Sequence, residues 1–273
     1  MTADLEPDQQ AARWNDHVCV YESVFEPFTN RFAERAIEAL LPTPGTRCLD
    51  VAAGTGGAAL RLAARGAEVL AVDAAPAMCA RICTRAASLG LPVTAAAMDA
   101  ERLALPDHIA SAALSIFGII LCPDPARALR EMARVVRPGG QIALVTWTEP
   151  QHYELAARLI AASAAVRGTP ARPASLPAQL RFREEAAFRG LFAAAGLTGE
   201  RVERIEAPLQ APSARWLAAR LAFAPGMAAM LAGQGEEREA VLARFVAELE
   251  RDSGTGPVAL RAVAFLGAAR CPG

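Results

Sequence analysis

Between Cys48 and Trp147 the chain alternates short apolar runs with longer segments that are rich in alanine and punctuated by arginine. The apolar runs have the length of buried strands, and they are RCLDVA, AEVLAVD, LPVTAAAMD, residues 109–116 and QIALVTW. Three intervening segments predict helices, and they are GTGGAALRLAARG, PAMCARICTRAASLG and PDPARALREMARVVRPGG, the last of which should end at its glycines. Strands that alternate with helices predict βαβ units and therefore a parallel sheet.

After Trp147 the pattern changes. Residues 151–195 predict helices interrupted by the proline-rich loop GTPARPASLPAQ, and the spacing of Val202 and Ile205 predicts a strand in GLTGERVERIEAPL. Helix is predicted from Ser213 to about residue 251, and VALRAVAFLGAA predicts a final strand. We therefore expect an α/β fold with a Rossmann-like, doubly wound, seven-stranded sheet, mostly parallel with an antiparallel last strand. The last two strands should form an antiparallel hairpin, and the helical stretch between them a lid.

Composition narrows the classes of partner. The formal net charge is -1, and the chain has no lysine and no run of basic residues, so we expect no nucleic-acid partner. The N-terminus is acidic and polar, and no apolar stretch has the length of a membrane span, so we expect a cytoplasmic protein without a membrane partner. The six cysteines should be reduced thiols. Cys79 and Cys83 stand four residues apart, but with three histidines in the whole chain we predict no metal site.

The strongest local motif is LDVAAGTGG, which places glycines where a strand ends and a helix begins. Glycines there let the backbone approach a ligand closely. The loop also fits the G-x-G-x-x-A pattern of dinucleotide-binding proteins, so on its own it is only moderately specific. Asp73 ends the second strand, where a carboxylate can accept both hydroxyl hydrogens of an adenosine ribose, although a helix N-cap is the alternative role.

Two further acids lie outside the pattern that dinucleotide enzymes share. Asp50 precedes the glycines, where its carboxylate can order the loop and attract an ammonium group, and Asp99 follows the third strand, where it can accept the amino group of adenine. Together with Asp73 they favour a cationic ligand and disfavour a diphosphate.

Residues 46–148 resemble the class I S-adenosylmethionine (SAM) dependent methyltransferases, near the ubiquinone and menaquinone biosynthesis and natural-product types. The matching pieces are LDVAAGTGG, VLAVD, AMDAERLALP and SIFGIILCPDPARALREMARVVRPGGQIALVTW. One departure is Ala52, which stands where the general motif has its first glycine. The resemblance implies SAM as cofactor and S-adenosylhomocysteine (SAH) as product. It also implies an N-terminal helical cap segment (1–45), a SAM-binding core (46–150) and a region with the lid and the last two strands (151–273), all in one compact domain.

The resemblance also implies a set of cofactor-binding residues. It assigns Asp50, Gly54 and Gly56 to the methionyl side of SAM. It assigns the ribose and the adenine face to Asp73 and Met78. The adenine edge falls to Asp99 and Ala100, and the space near the sulfonium to Ile116 and Phe117, with core packing as the alternative for Phe117. The cofactor set is completed by Ala52 and Ala74.

Methyl transfer from SAM is an in-line displacement, which depends mainly on positioning and does not require a fixed triad. If the acceptor must lose a proton, His17 and His152 are the candidate bases, with His108 more remote; an ordinary surface or capping role is the alternative for each. Tyr21 and Trp216 are candidates for a substrate-facing aromatic surface, with core packing as the alternative. We expect a small-molecule acceptor. The apolar residues of the lid fit its pocket and fit a homodimer interface almost as well.

Two other functions stay open. An NAD- or NADP-linked oxidoreductase would use the same glycine loop, but Asp50 and Asp99 disfavour it, and a Tyr-x-x-x-Lys pair is impossible without lysine. A protein of the SAM-binding fold that binds its ligand without catalysis, as a regulator or assembly partner, is compatible with every motif above.

Overall fold

The computed structural model describes residues 5–40, 42–168 and 177–272. Seven strands form one sheet in the order β3-β2-β1-β4-β5-β7-β6. Their bounds are β1 Arg47–Val51, β2 Glu68–Asp73, β3 Val93–Ala97, β4 Ala110–Ile116, β5 Val136–Trp147, β6 Thr198–Ala211 and β7 Val258–Arg270. Neighbours among β1 to β5 pair in parallel, while β7 is antiparallel to both β5 and β6, so only the last strand runs against the others. The predicted α/β, Rossmann-like sheet is confirmed.

Helices cover both faces of this sheet. They are α1 Ala11–Trp14, α2 Val18–Val20, α3 Glu26–Leu40, α4 Gly57–Ala64, α5 Pro76–Leu89, α6 Pro125–Val135, α7 Glu154–Arg167, α8 Glu185–Ala194, α9 Ala214–Ala218, α10 Pro225–Ala232 and α11 Arg238–Ser253. Helices α3, α4 and α5 pack on one face, which α7, α9 and α11 extend, and α6 and α8 pack on the other. A π-helical turn, Tyr21–Phe25, joins α2 to α3.

Two boundaries differ from the prediction. Helix α6 ends at Val135 instead of at the glycines, because Val136 already pairs with Ala110 of β4 and Pro138 has no N–H for a helix to use. The predicted antiparallel hairpin is confirmed as the β6–β7 pair, in which β7 lies between β5 and β6. The long helical stretch between these strands is divided into α9, α10 and α11, with Pro225 opening α10 and Gly233 following it.

The packing of α8 on the sheet depends on a glycine in β7. A Cβ atom at Gly267 would lie 2.6 Å from ring atoms of Phe192 and 2.8 Å from Phe188, so the missing side chain makes room for both rings. Both phenylalanines are fully buried.

No helix within the described ranges is long and apolar enough to cross a lipid bilayer. Most of the predicted proline-rich loop, residues 169–176, lies outside the described residues.

Candidate functional site

The glycine loop, residues 52–56, lies at the carboxyl end of β1 and is tied to β2 by the side chain of Asp73. The Gly54 N–H donates to Asp73 Oδ2 at 2.8 Å, and the Ala75 N–H donates to Oδ1 at 2.9 Å. Burial raises the pKa of Asp73 to about 6, although backbone hydrogen bonds from Ala75, Gly54 and Ala74 oppose the shift. One carboxylate therefore sets the distance between the glycine loop and the start of α5.

The loop turns through the left-handed region at Ala52 (φ 54°) and at Gly54 (φ 56°). A Cβ atom added at Gly54 would lie 3.2 Å from the ring of Tyr21. Ala52 adopts a left-handed conformation that favours glycine, and it stands at the position where the methyltransferase motif has its first glycine. The N-terminal segment thus lies directly over the loop, with Tyr21 in contact with it.

A pocket lies between α3 and the glycine loop. It is lined by Tyr21, Glu26, Thr29, Asn30, Ala33, Asp50, Ala52, Ala53, Gly57, Ala58 and Ile116. Four predicted site residues from three separate segments therefore meet here: Tyr21 from the N-terminal segment, Asp50 and Ala52 from β1 and its loop, and Ile116 from β4. Asp50 and Ile116 come together because the parallel strands β1 and β4 end at the same edge of the sheet.

Asp50 is the most unusual group in this pocket. Its side chain is 1% exposed, and its Oδ2 atom has no hydrogen-bond partner among the described residues. Burial, together with the nearby charges of Asp73 and Glu26, raises its pKa to about 8, against a backbone hydrogen bond from Ala59. A buried carboxylate oxygen without a partner is costly unless a ligand completes it. Its chemistry fits the ammonium group of a SAM methionyl moiety.

Sequence reasoning missed the contribution of α3. Glu26, Thr29, Asn30 and Ala33 follow the i, i+3, i+4, i+7 spacing of one helix face and all line the pocket. The π-helical turn adds Tyr21 to this face, because the Glu26 N–H bonds to the Tyr21 carbonyl five residues back. Glu26, Thr29 and Asn30 are polar and buried. That polar set lies on the buried side of the helix, away from its exposed charged residues, and was the available signal.

Aromatic rings gather beside the pocket at the carboxyl end of β5. We call this group the aromatic cluster, and it comprises Phe25, Phe28, Phe32, Phe117, Trp147, Tyr153 and Phe223. Phe117 and Trp147 stack with ring centroids 3.9 Å apart, and Phe25 stacks on Phe223 at 4.6 Å. The Tyr153 hydroxyl is buried without a hydrogen-bond partner in the described part of the chain. Sequence analysis assigned only Phe117 of this group to the site.

The remaining predicted cofactor residues follow β1, β2 and β3 and are not among the residues that line the pocket. Met78 is buried, Ala100 is buried and Ala74 is exposed. Asp99 is exposed, and its Oδ1 accepts the Glu101 N–H at 2.9 Å. Gly56 precedes α4 with φ 88°.

The two candidate bases and Trp216 are not among the residues that line the pocket. His17 Nδ1 lies 2.8 Å from the Arg13 carbonyl oxygen, and His152 Nδ1 lies 3.3 Å from the Thr148 hydroxyl oxygen. The guanidinium carbon of Arg220 lies 4.6 Å from the centroid of the Trp216 ring. Phe223, a little further along the chain, belongs to the aromatic cluster.

Part of the chain matches a known protein family. Residues 49–144 match the family model described as a methyltransferase domain. A protein of Mycobacterium tuberculosis described as uncharacterised is 35% identical over 161 residues, which make up 59% of this chain and 57% of that protein. Another protein of the same organism, described as an uncharacterised methyltransferase, is 44% identical over 115 residues, 42% of this chain and 45% of that protein. The matches span about half the length of these curated relatives.

Solved structures share the fold. The YcgJ protein of Bacillus subtilis is 18% identical and covers 89% of this chain and 99% of its own, with a TM-score of 0.59. Phosphoethanolamine N-methyltransferase 2 of Haemonchus contortus, solved with SAM, is 16% identical and covers 97% of this chain and 59% of its own, with a TM-score of 0.58. The resemblance is confirmed at the level of the domain and the fold: residues 49–144 match a methyltransferase domain, and the chain shares its fold with solved structures of SAM-dependent methyltransferases.

Proposed function

We propose that this protein binds SAM at the glycine loop and transfers its methyl group to a small-molecule acceptor. The observation that carries the proposal is the Oδ2 atom of Asp50, which is buried in the pocket and has no hydrogen-bond partner among the described residues. A buried carboxylate that faces a pocket selects a cationic ligand. SAM carries an ammonium and a sulfonium group, whereas the diphosphate of NAD would be repelled.

Each part of the site has a role in this proposal. Asp50 would hold the ammonium group, and Asp73 the ribose hydroxyls. Bound SAM supplies an electrophilic methyl group on its sulfonium. The protein's own contribution is to align the acceptor, exclude water and limit motion, and such positioning can account for most of the rate.

We assign the acceptor to the side of the aromatic cluster. Ile116 at the end of β4 lines the pocket, and the next residue, Phe117, stacks on Trp147, so the cluster adjoins the pocket through β4. Flat apolar rings suit an aromatic or otherwise apolar small molecule. The Tyr153 hydroxyl, which is buried without a hydrogen-bond partner among the described residues, would supply that molecule with a hydrogen bond.

Calorimetric titration of the purified protein with SAM, SAH and NADH tests the proposal. We expect SAM and SAH to bind and NADH not to bind. Asp73→Asn should weaken SAH binding by more than about 1 kcal/mol, because it removes the charge from a hydrogen-bond acceptor. Glu68→Gln is the matched control, since Glu68 begins the same strand and its side chain is 62% exposed.

Binding of NADH without binding of SAM would overturn the proposed cofactor. Transfer of the labelled methyl group of SAM to members of a small-molecule panel would support the methyltransferase activity. The same fold occurs in a protein titled a [4+2]-cyclase, which is 24% identical with a TM-score of 0.54. SAM binding with no transfer to any member of the panel would favour a protein that uses the fold without methyl transfer.

A further inference from the structure

Two acids on the segment that enters α3 face two arginines on α5. Glu22 receives two hydrogen bonds from Arg81, at 2.5 and 2.7 Å, and Glu26 receives one from Arg85 at 2.6 Å. We call these four residues the acid–arginine ladder, with Glu22–Arg81 as the outer rung and Glu26–Arg85 as the inner rung. The side chains of the inner rung are 6% and 19% exposed, those of the outer rung 23% and 38%.

The inner rung also holds the middle of the glycine loop. The Thr55 hydroxyl donates to Glu26 Oε1 at 2.6 Å, and Arg85 Nη1 donates to the Thr55 carbonyl at 2.7 Å. Thr55 is fully buried and stands between Gly54 and Gly56, which both have positive φ. The hydroxyl and the carbonyl of the residue between two conformationally free glycines are therefore bonded to one buried ion pair. The outer rung has no such contact with the loop.

We propose that Glu26 is a positioning residue for the cofactor. It acts through Thr55 to hold the glycine loop in one conformation, and it joins the N-terminal segment to that loop. This inference rests on the proposed function. A buried ion pair contributes little to stability compared with apolar packing, so its presence here is better explained by the geometry it specifies.

Glu26 also sets the charge that Asp50 experiences. The ionisable groups around Asp50 are Glu26 from α3, Asp73 from β2, Tyr21 from the π-helical turn and Cys48 from its own strand, while Arg85 of α5 is paired with Glu26. Removing the charge of Glu26 removes one source of repulsion, so Asp50 should ionise at a lower pH. The pH at which an ammonium ligand begins to bind should fall with it.

The test compares Glu26→Gln with Glu22→Gln, which weakens the outer rung and the longer, 3.7 Å contact between Glu22 and Arg85 but leaves both bonds to Thr55 in place. In the ligand-free protein, hydrogen exchange of the loop amides 54–57 should become about fivefold faster in Glu26→Gln, the effect of weakening one hydrogen bond, and stay unchanged in Glu22→Gln. The maximum affinity for SAH, measured by calorimetry, should fall about five- to tenfold in Glu26→Gln. The pH below which SAH binding is lost should be lower in Glu26→Gln than in the wild type. A general loss of stability would not cause that shift.

Thr55→Val provides a second variant that changes the link from the other side. It should accelerate loop exchange as Glu26→Gln does, and the two substitutions together should not add, because they break the same contact. If Glu26→Gln does not fold, Thr55→Val decides the question by its exchange alone. Loop exchange in Glu26→Gln or Thr55→Val equal to that of the wild type would overturn the role of Glu26. If the wild type binds no SAH, the proposed function fails, and the exchange comparison still decides whether Glu26 positions the loop.

Discussion

Replacing Asp50 by Asn is the most informative single change, because the structure predicts opposite effects on stability and on binding. Asn has the same shape and keeps one acceptor oxygen, so the substitution removes mainly the charge. In the folded wild type the pKa of Asp50 is raised from 3.8 to about 8. The folded state therefore holds this proton more tightly than the unfolded state, and Asp50 lowers stability progressively as pH rises through that interval.

The stability effect follows from proton linkage. One proton held only by the folded state changes the free energy of unfolding by up to about 1.4 kcal/mol per pH unit. The advantage of Asp50→Asn over the wild type should therefore grow between about pH 4 and pH 8 and then level off. Urea unfolding at several pH values measures it, with Glu68→Gln as a control for an exposed acid.

The binding effect has the opposite sign. Loss of a charge-assisted contact with the ligand ammonium costs about 1.5 to 3 kcal/mol, which weakens SAH binding about 10- to 150-fold. Calorimetry at pH 8 and above measures it. A variant with unchanged SAH affinity, and with a stability difference from the wild type that does not vary with pH, would refute the assignment of Asp50.

Three other changes test the packing and the geometry of the site. Gly267→Ala should lower the free energy of unfolding by about 1 to 3 kcal/mol, because the new Cβ overpacks against α8. Gly190→Ala, on the exposed side of α8 with no atom within 4 Å of the new Cβ, should raise the free energy of unfolding by up to about 1 kcal/mol. Denaturant titration measures both effects. Ala52→Gly should stabilise the loop by about 1 kcal/mol by relieving the left-handed conformation, and an unchanged or lower melting temperature would argue against strain there. Deleting Ser23 should convert the π-helical turn to an α-helix and rotate Tyr21 by about 100° away from the pocket. The affinity for SAH should then fall on the order of tenfold. The control, Ser23→Ala, should bind SAH as the wild type does.

The sequence was sufficient for the architecture because the relevant signals are local. Alternation of apolar runs with helical segments, glycines after β1 and an acid at the end of β2 depend on residues close together in the chain. These signals predicted the seven strands, the antiparallel last strand and the positions of Asp50, Gly54 and Asp73 at one edge of the sheet. Boundaries were less well predicted where β-pairing competes with helix formation, as at Val136.

Only the tertiary structure placed residues from distant segments in the same site. Glu26 meets Arg85 from 59 positions away, and no local pattern identifies that pair. The π-helical turn depends on one additional residue in a helical segment, which periodicity does not reveal. Trp216 and Phe223 have similar apolar surroundings in the sequence, yet only Phe223 joins the aromatic cluster. Local patterns decide which elements form, because they depend on neighbouring side chains and backbone preferences. Which side chains share a pocket is decided by packing, because it depends on how those elements meet in space.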